Sequence, residues 1–220
     1  KNHKNACNNP NAQFQRQITI EDVMNSGYVA SPLKLLDCSP LTDGAAAVIL
    51  CETEKAKKIC EKPVEILAST QASDSLALTG RKSLTEMTAT KIAAKEAYEK
   101  AKVSAKNISF AEVHDCFTIA EIMAIEDLGF FKKGEGGKAT EKGKTSLEGE
   151  IPVNPSGGLK GKGHPVGATG VAQAIEAFLQ LRGEAEKRQV KDAKIGLTHN
   201  VGGSGATAVI HIYRQIGGKR

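Results

Sequence analysis

Short apolar runs alternate along this chain with stretches of near-helical apolar spacing, and that alternation predicts an α/β domain. The polar, Asn-rich opening from Lys1 to Arg16 predicts a loop, and Thr19 to Asn25 a short helix ahead of Gly27. Ala45 to Cys51 predicts a buried strand and Thr53 to Cys60 a helix that Pro63 ends. Val64 to Ser69 predicts the next strand. Ser83 with Glu86 makes a capping-box pattern for a helix running to about Lys102, on which Met87, Ala94, Ala97, Tyr98 and Ala101 recur at near-helical spacing. A short strand opening at Phe110 gives way to a helix near Thr118, carried by Ile119, Ile122 and Met123. Lys132 to Glu150, rich in Gly, Lys and Glu without periodicity, predicts a long surface loop. A helix over Val166 to Leu181, with Gly167, Ala168 and Gly170 allowing close packing, precedes two closing strands, Lys194 to Leu197 and Ala206 to Tyr213.

Candidate chemistry collects between these elements. In Asn154-Pro155-Ser156-Gly157-Gly158-Leu159-Lys160-Gly161-Lys162-Gly163-His164-Pro165, the glycines permit positive φ or close approach, and Pro165 suits a first helical turn. His164 is therefore expected at a helix N-terminus, where the dipole disfavours imidazolium and leaves a neutral base. In Val113-His114-Asp115-Cys116-Phe117, His114 and Cys116 point to one face while the chain is extended, with Asp115 turned away. His199 lies in Thr198-His199-Asn200-Val201-Gly202-Gly203. Three histidines at element ends suggest one pocket, since binding groups in α/β proteins gather there. A zinc site is the weaker reading, because His114 and Cys116 form the one close pair. Cys116 is read as a reactive thiol of lowered pKa rather than a buried small hydrophobe.

With these motifs the chain resembles the C-terminal part of thiolases, specifically the sterol-carrier-type and archaeal acetoacetyl-CoA thiolases. That group shares H-D-C-F, G-H-P and H-N-x-G-G, and Asp43-Gly44-Ala45-Ala46-Ala47-Val48 matches its D-G-A-A-A-V segment. The resemblance implies the second half of an αβαβα layered sandwich, with residues 1–42 as the end of a loop region and 43–220 as the C-terminal domain. It implies His164 as activator of a nucleophilic thiolate and Cys116 as the acid/base that moves the substrate's α-proton. His114 and His199 would bind thioester oxygens, with Gly202 and Gly203 as substrate contacts. The implied reaction is condensation of two acetyl-CoA to acetoacetyl-CoA, or thiolytic cleavage of a 3-ketoacyl-CoA. Coenzyme A thioester serves as substrate, and no cofactor or metal is expected. The implied partners are a second copy in a homodimer or homotetramer, hydroxymethylglutaryl-CoA synthase and an OB-fold zinc-ribbon scaffold protein.

The family's nucleophilic cysteine lies in a segment ahead of anything present here, and Cys7, Cys38, Cys51 and Cys60 sit in no comparable strand–helix elbow. The expectation is a fragment that is not a well-behaved monomer alone. The alternatives are a thiolase-like retro-aldolase on CoA thioesters and a non-catalytic scaffold subunit. Composition changes this little. With 220 residues, 40% of them hydrophobic, one substantial core is possible, and no apolar run approaches the roughly 20 residues of a membrane helix. The net charge of +5 comes with lysines interleaved with glutamates and only 4% aromatics, which argues against nucleic acid. Five cysteines, odd in number and irregular in spacing, predict a reducing, cytoplasmic setting.

Overall fold

The computed structural model describes residues 1–217. Its elements are α1 (Asn2–Ala6), α2 (Ile20–Asn25), β1 (Tyr28–Ala30), β2 (Leu33–Lys34), α3 (Thr53–Ile59), β3 (Val64–Ser73), α4 (Thr88–Ala101), β4 (Phe110–Glu112), α5 (Thr118–Asp127), α6 (Gly136–Glu141), α7 (Gly158–Gly161), α8 (Thr169–Arg182), β5 (Ile195–Gly202) and β6 (Thr207–Gln215). The α/β class expected from the sequence is the class observed. One four-stranded sheet has the order β3-β6-β5-β4, with β4 parallel to β5 and the other pairings antiparallel.

Alternation along the strands sends side chains to two cores. Ala111, Val113, Leu197, Ile210 and Ile212 pack with Ala93, Ala94 and Ala97 of α4 and with Ala124, Ile125 and Leu128 at α5. On the opposite face, Phe110 and Tyr213 pack with Ala177 and Leu181 of α8. The alanine face of α4 lets that helix lie close to β3 and β6. A Cβ at Gly196 would overlap the Phe110 ring, so this glycine is what admits the ring between β5 and α8.

Several expectations need correction. Lys1 to Arg16 is not simply a loop: α1 forms, and the asparagines act as buried donors, Asn5 Nδ2 to the Asn154 carbonyl at 3.0 Å and Asn9 Nδ2 to that of Ser156 at 2.8 Å. Ala45 to Cys51 is extended but belongs to no strand, and Ile49 is 98% exposed. A strand needs a neighbour for its backbone groups, and among the described residues this segment has none. The capping box at Ser83 and Glu86 does not form. Instead α4 begins at Thr88, and Asp127 Oδ2 accepts the Met87 N–H at 2.7 Å. Within 132–150, α6 forms and Glu126 accepts the Gly136 N–H at 2.9 Å, so tertiary contacts tie down what lacks periodicity. Finally, α8 begins at Thr169 rather than Val166. The Pro165 carbonyl instead closes a turn with Ala168 and Thr169.

Candidate active site

Two fully buried carboxylates join the histidine-bearing loops. Glu112, the last residue of β4, accepts the Ser156 N–H at 3.0 Å and its hydroxyl at 2.6 Å, and Lys162 Nζ stands 3.9 Å away. Asp115 Oδ1 accepts the Leu159 N–H at 2.6 Å. Its Oδ2 accepts the Lys160 N–H at 3.3 Å and Asn2 Nδ2 at 2.6 Å. Behind them Glu121 pairs with Lys1 at 2.7 Å and takes a 2.9 Å bond from Asn154 Nδ2, while Asn154 Oδ1 accepts the Val113 N–H at 2.8 Å. Three glycines of the 157–163 loop have positive φ, Gly157 at 102°, Gly158 at 61° and Gly163 at 118°. A Cβ on Gly157 would stand 2.7 Å from Ala6 Cβ. The glycines therefore bring this loop against its own chain, and His164 leaves it at a set angle.

His114 and His164 meet edge to face, ring centroids 5.0 Å apart and planes at 89°. His164 Nδ1 lies 2.8 Å from Thr169 Oγ1, and that hydroxyl can donate its proton to the Pro165 carbonyl at 3.1 Å. With the hydroxyl proton on that carbonyl, Nδ1 carries the imidazole proton and Nε2 is the basic nitrogen; with the hydroxyl proton on Nδ1, the two nitrogens exchange roles. His199, fully buried within β5, has Nε2 2.9 Å from Thr90 Oγ1 of α4. Gln173 of α8 holds this stretch of strand, donating Nε2 to the His199 carbonyl at 3.2 Å and accepting Asn200 Nδ2 at 3.1 Å. The Nδ1 atoms of His114 and His199 are both buried without a hydrogen-bond partner among the described residues.

All three imidazoles are held neutral, chiefly by burial. Burial and the neighbouring His164 bring His114 down to about 4, and burial with His114 brings His199 to about 3. His164 is lowered as well, by burial. The expected helix dipole is not the cause, since His164 precedes α8 by five residues and lies ahead of the turn that Pro165 closes. The Cys116 thiol moves opposite to expectation: burial, then the Asp115 carboxylate, push it up to about 11. Asp115 itself is pushed up to about 7 by burial and by Glu121, against the pull of the Leu159 and Lys160 N–H groups.

The structure thus brings His114 and His164 into ring contact and sets His199 close enough to feel His114. His199 lies inside a strand rather than at its end. Cys116 follows on the same loop, where its carbonyl accepts the Ser39 N–H at 2.8 Å. Gly202 ends β5, and Gly203 turns the chain toward β6 with φ 58°. Sequence reasoning assigned no part to Asp115, Glu112, Asn154 or Thr90. Asp115 was visible inside the H-D-C-F motif, but nothing in the sequence tells that its carboxylate reaches loop residues more than forty positions on.

The neutral imidazoles predict a pH dependence of stability. In the unfolded chain these rings titrate near 6.5, so between about 6.5 and 4 that chain takes up protons the folded one refuses. Stability from this source therefore falls as pH drops through that window, on the order of 3 kcal/mol for His114. Urea unfolding at pH 7 and pH 4.5 should show a shallower loss for His114→Asn than for the parent. Equal losses would mean that the imidazole is not held neutral.

A family model described as thiolase C-terminal domain-like matches residues 70–215. The acetyl-CoA acetyltransferase of Methanothermobacter thermautotrophicus is 58% identical over 214 residues, covering 97% of this chain and 56% of the relative. Sterol carrier protein 2 of Oryctolagus cuniculus is 44% identical over 220 residues, covering 98% of this chain and 40% of the relative. Among solved structures, the Ltp2-ChsH2(DUF35) aldolase superposes with a TM-score of 0.83 at 26% identity, over 96% of this chain and 55% of that one. The Bacillus anthracis acetyl-CoA acetyltransferase, with a TM-score of 0.65 at 20% identity over 92% of this chain and 44% of that one, shares the fold. The chain spans about half the length of the curated relatives it matches.

Proposed function

The chain belongs to the thiolase family, as a match to its C-terminal domain, and from that premise we propose that it supplies the acid/base and oxyanion half of an acyltransferase site acting on coenzyme A thioesters. The observation that carries this reading is the His164 ring, its Nδ1 held 2.8 Å from the Thr169 hydroxyl, set against a second neutral imidazole. A neutral imidazole in a half-buried cleft accepts a proton from a thiol and returns it to a departing thiolate.

In the proposed first step a cysteine thiol from outside these 220 residues gives its proton to His164. The sulfur attacks the thioester carbonyl, the carbonyl–sulfur bond breaks, and coenzyme A leaves with that proton. In the second step an enolate of acetyl-CoA attacks the acyl-enzyme, or in reverse a 3-ketoacyl-CoA is cleaved, with Cys116 as the group that holds the α-proton. Neutral N–H donors from His114 and His199 face the developing oxyanion, where one well-placed donor is worth about 3–4 kcal/mol. No cofactor enters this scheme. A cytoplasmic location is part of the proposal, supported by five free cysteines. Among the described residues no helix is long and apolar enough to cross a membrane. Association with a second copy, hydroxymethylglutaryl-CoA synthase or an OB-fold zinc-ribbon protein rests on the family resemblance, and the DUF35 component named in the aldolase neighbour supports a separate partner chain.

That neighbour also supports a second reading, retro-aldol cleavage of a CoA thioester. Against it stands Cys116, a thiol for which retro-aldol chemistry has no need. The test is to co-express this chain with the part of the Methanothermobacter relative that it does not span, and to follow acetoacetyl-CoA with and without coenzyme A. Thiolysis that requires coenzyme A and an acetylated protein by mass spectrometry are expected. Cleavage of a 3-hydroxyacyl-CoA without added coenzyme A would select the aldolase, and no turnover of either would leave a scaffold.

A further inference from the structure

We propose that Asp115 is a positioning residue, whose carboxylate clamps the first turn of α7 and thereby sets His164 against His114. The proposal rests on the acyltransferase reading for its kinetic consequences, though not for its geometry. Asp115 sits between His114 and Cys116 in sequence, yet it is fully buried and points away from both, toward the loop that carries His164. Its two oxygens take the backbone N–H groups of Leu159 and Lys160, and these are among the unpaired donors that open a helix. Gly158 is the residue that permits the approach. It has φ of 61°, and a Cβ there would overlap the Asp115 carboxylate.

The clamp is itself held in place. Asn2 Nδ2 bridges Asp115 Oδ2 at 2.6 Å to Glu121 Oε2 at 2.5 Å, and Glu121 is anchored by Lys1 and Asn154. Three residues, Gly161, Lys162 and Gly163, separate Lys160 from His164, too few to absorb a shift at α7 without moving the ring. Burying a carboxylate beside a second one is costly, and a loop that needed only to be closed would be served by neutral groups. What a carboxyl group adds is two acceptor oxygens, one for each backbone N–H, where an amide has one.

Asp115→Asn tests this. It keeps the shape and one acceptor but turns the second acceptor into a donor, so the fold is expected to persist. With the complementing half present, acyl transfer at saturating acyl-CoA should fall about 10²-fold, the scale of an ångström-sized misplacement, while KM changes less than threefold. Independently of activity, ¹⁵N NMR of His164 should change from a single Nδ1–H tautomer to a mixture. Asp127→Asn removes a buried carboxylate that accepts the Met87 N–H ahead of α4 and takes no hydrogen bond from the loop that carries His164; it should lower the unfolding temperature and leave the His164 spectrum unchanged. Where Asp115→Asn does not fold, Gly158→Ala displaces the carboxylate instead, with the same losses expected. An Asp115→Asn protein that is less stable yet keeps its acyl-transfer rate and His164 tautomer would overturn the clamp. If the parent protein transfers no acyl group, the acyltransferase reading fails, while the His164 spectrum still decides the clamp.

Discussion

Replacing His164 with alanine is expected to slow acyl transfer by about 10²–10⁴-fold, the usual worth of a positioned general base. The argument is geometric. The Thr169 hydroxyl engages Nδ1 at 2.8 Å, and with its own proton on the Pro165 carbonyl it makes Nε2 the basic atom of that ring. Burial keeps the ring unprotonated, so at pH 7 it is ready to accept without first losing a proton. Thr169→Val would keep the ring and remove the lock, and a loss of about tenfold is expected as the second tautomer becomes populated. Rapid-quench measurement of coenzyme A release in the first turnover reads both variants. A His164→Ala protein that releases coenzyme A at the parental rate would remove His164 from the mechanism. A larger loss for Thr169→Val than for His164→Ala would mean that the hydroxyl, not the imidazole, faces the substrate.

How much of this was legible in the sequence follows from what each feature depends on. Strand β4 and helix α5 carry their own apolar patterns and form where those patterns stand, and the closing pair forms too, with β5 running on past the expected Leu197 to Gly202. The ring contact between His114 and His164 was foreshadowed by two histidine motifs at element ends, since strand ends in an α/β sheet share one rim. Features that depend on a distant partner were illegible. Ala45 to Cys51 has the composition of a strand, but a strand exists only in a pair. Ser83 and Glu86 have the spacing of a capping box, yet Asp127, forty residues on, caps the turn instead. Asn5 and Asn9 look like loop polarity and are buried donors to carbonyls on the far side of the chain. The direction of the Cys116 shift failed for a similar reason. The sequence shows the histidine two residues away, but burial keeps that ring neutral, and burial with the adjacent carboxylate pushes the thiol up.

Cys116→Ala is expected to separate two half-reactions, abolishing carbon–carbon bond cleavage and formation while leaving acylation intact. In cleavage, the attacking thiolate adds to the 3-keto carbon, the C2–C3 bond breaks, and its electron pair passes to C2 as the enolate of acetyl-CoA. That carbon needs a proton. Cys116, raised to about 11 by burial, carries one at neutral pH and is a far better match to a strongly basic carbon than a thiol of lowered pKa would be. In condensation the same sulfur must first give its proton up. The N–H of Phe117 and the N–H of Cys116 itself pull against burial and favour the thiolate when it forms. In the proposed mechanism acylation uses no α-proton and takes its base from His164, not from Cys116. In the complemented protein the variant should lose thiolysis and condensation by about 10²–10⁴-fold, yet mass spectrometry after exposure to acetyl-CoA should still show one acetyl group added. Retained thiolysis would return Cys116 to the role of a buried small side chain. An acetyl adduct that disappears together with turnover would mean that the sulfur of Cys116, rather than the imidazole of His164, governs the first step.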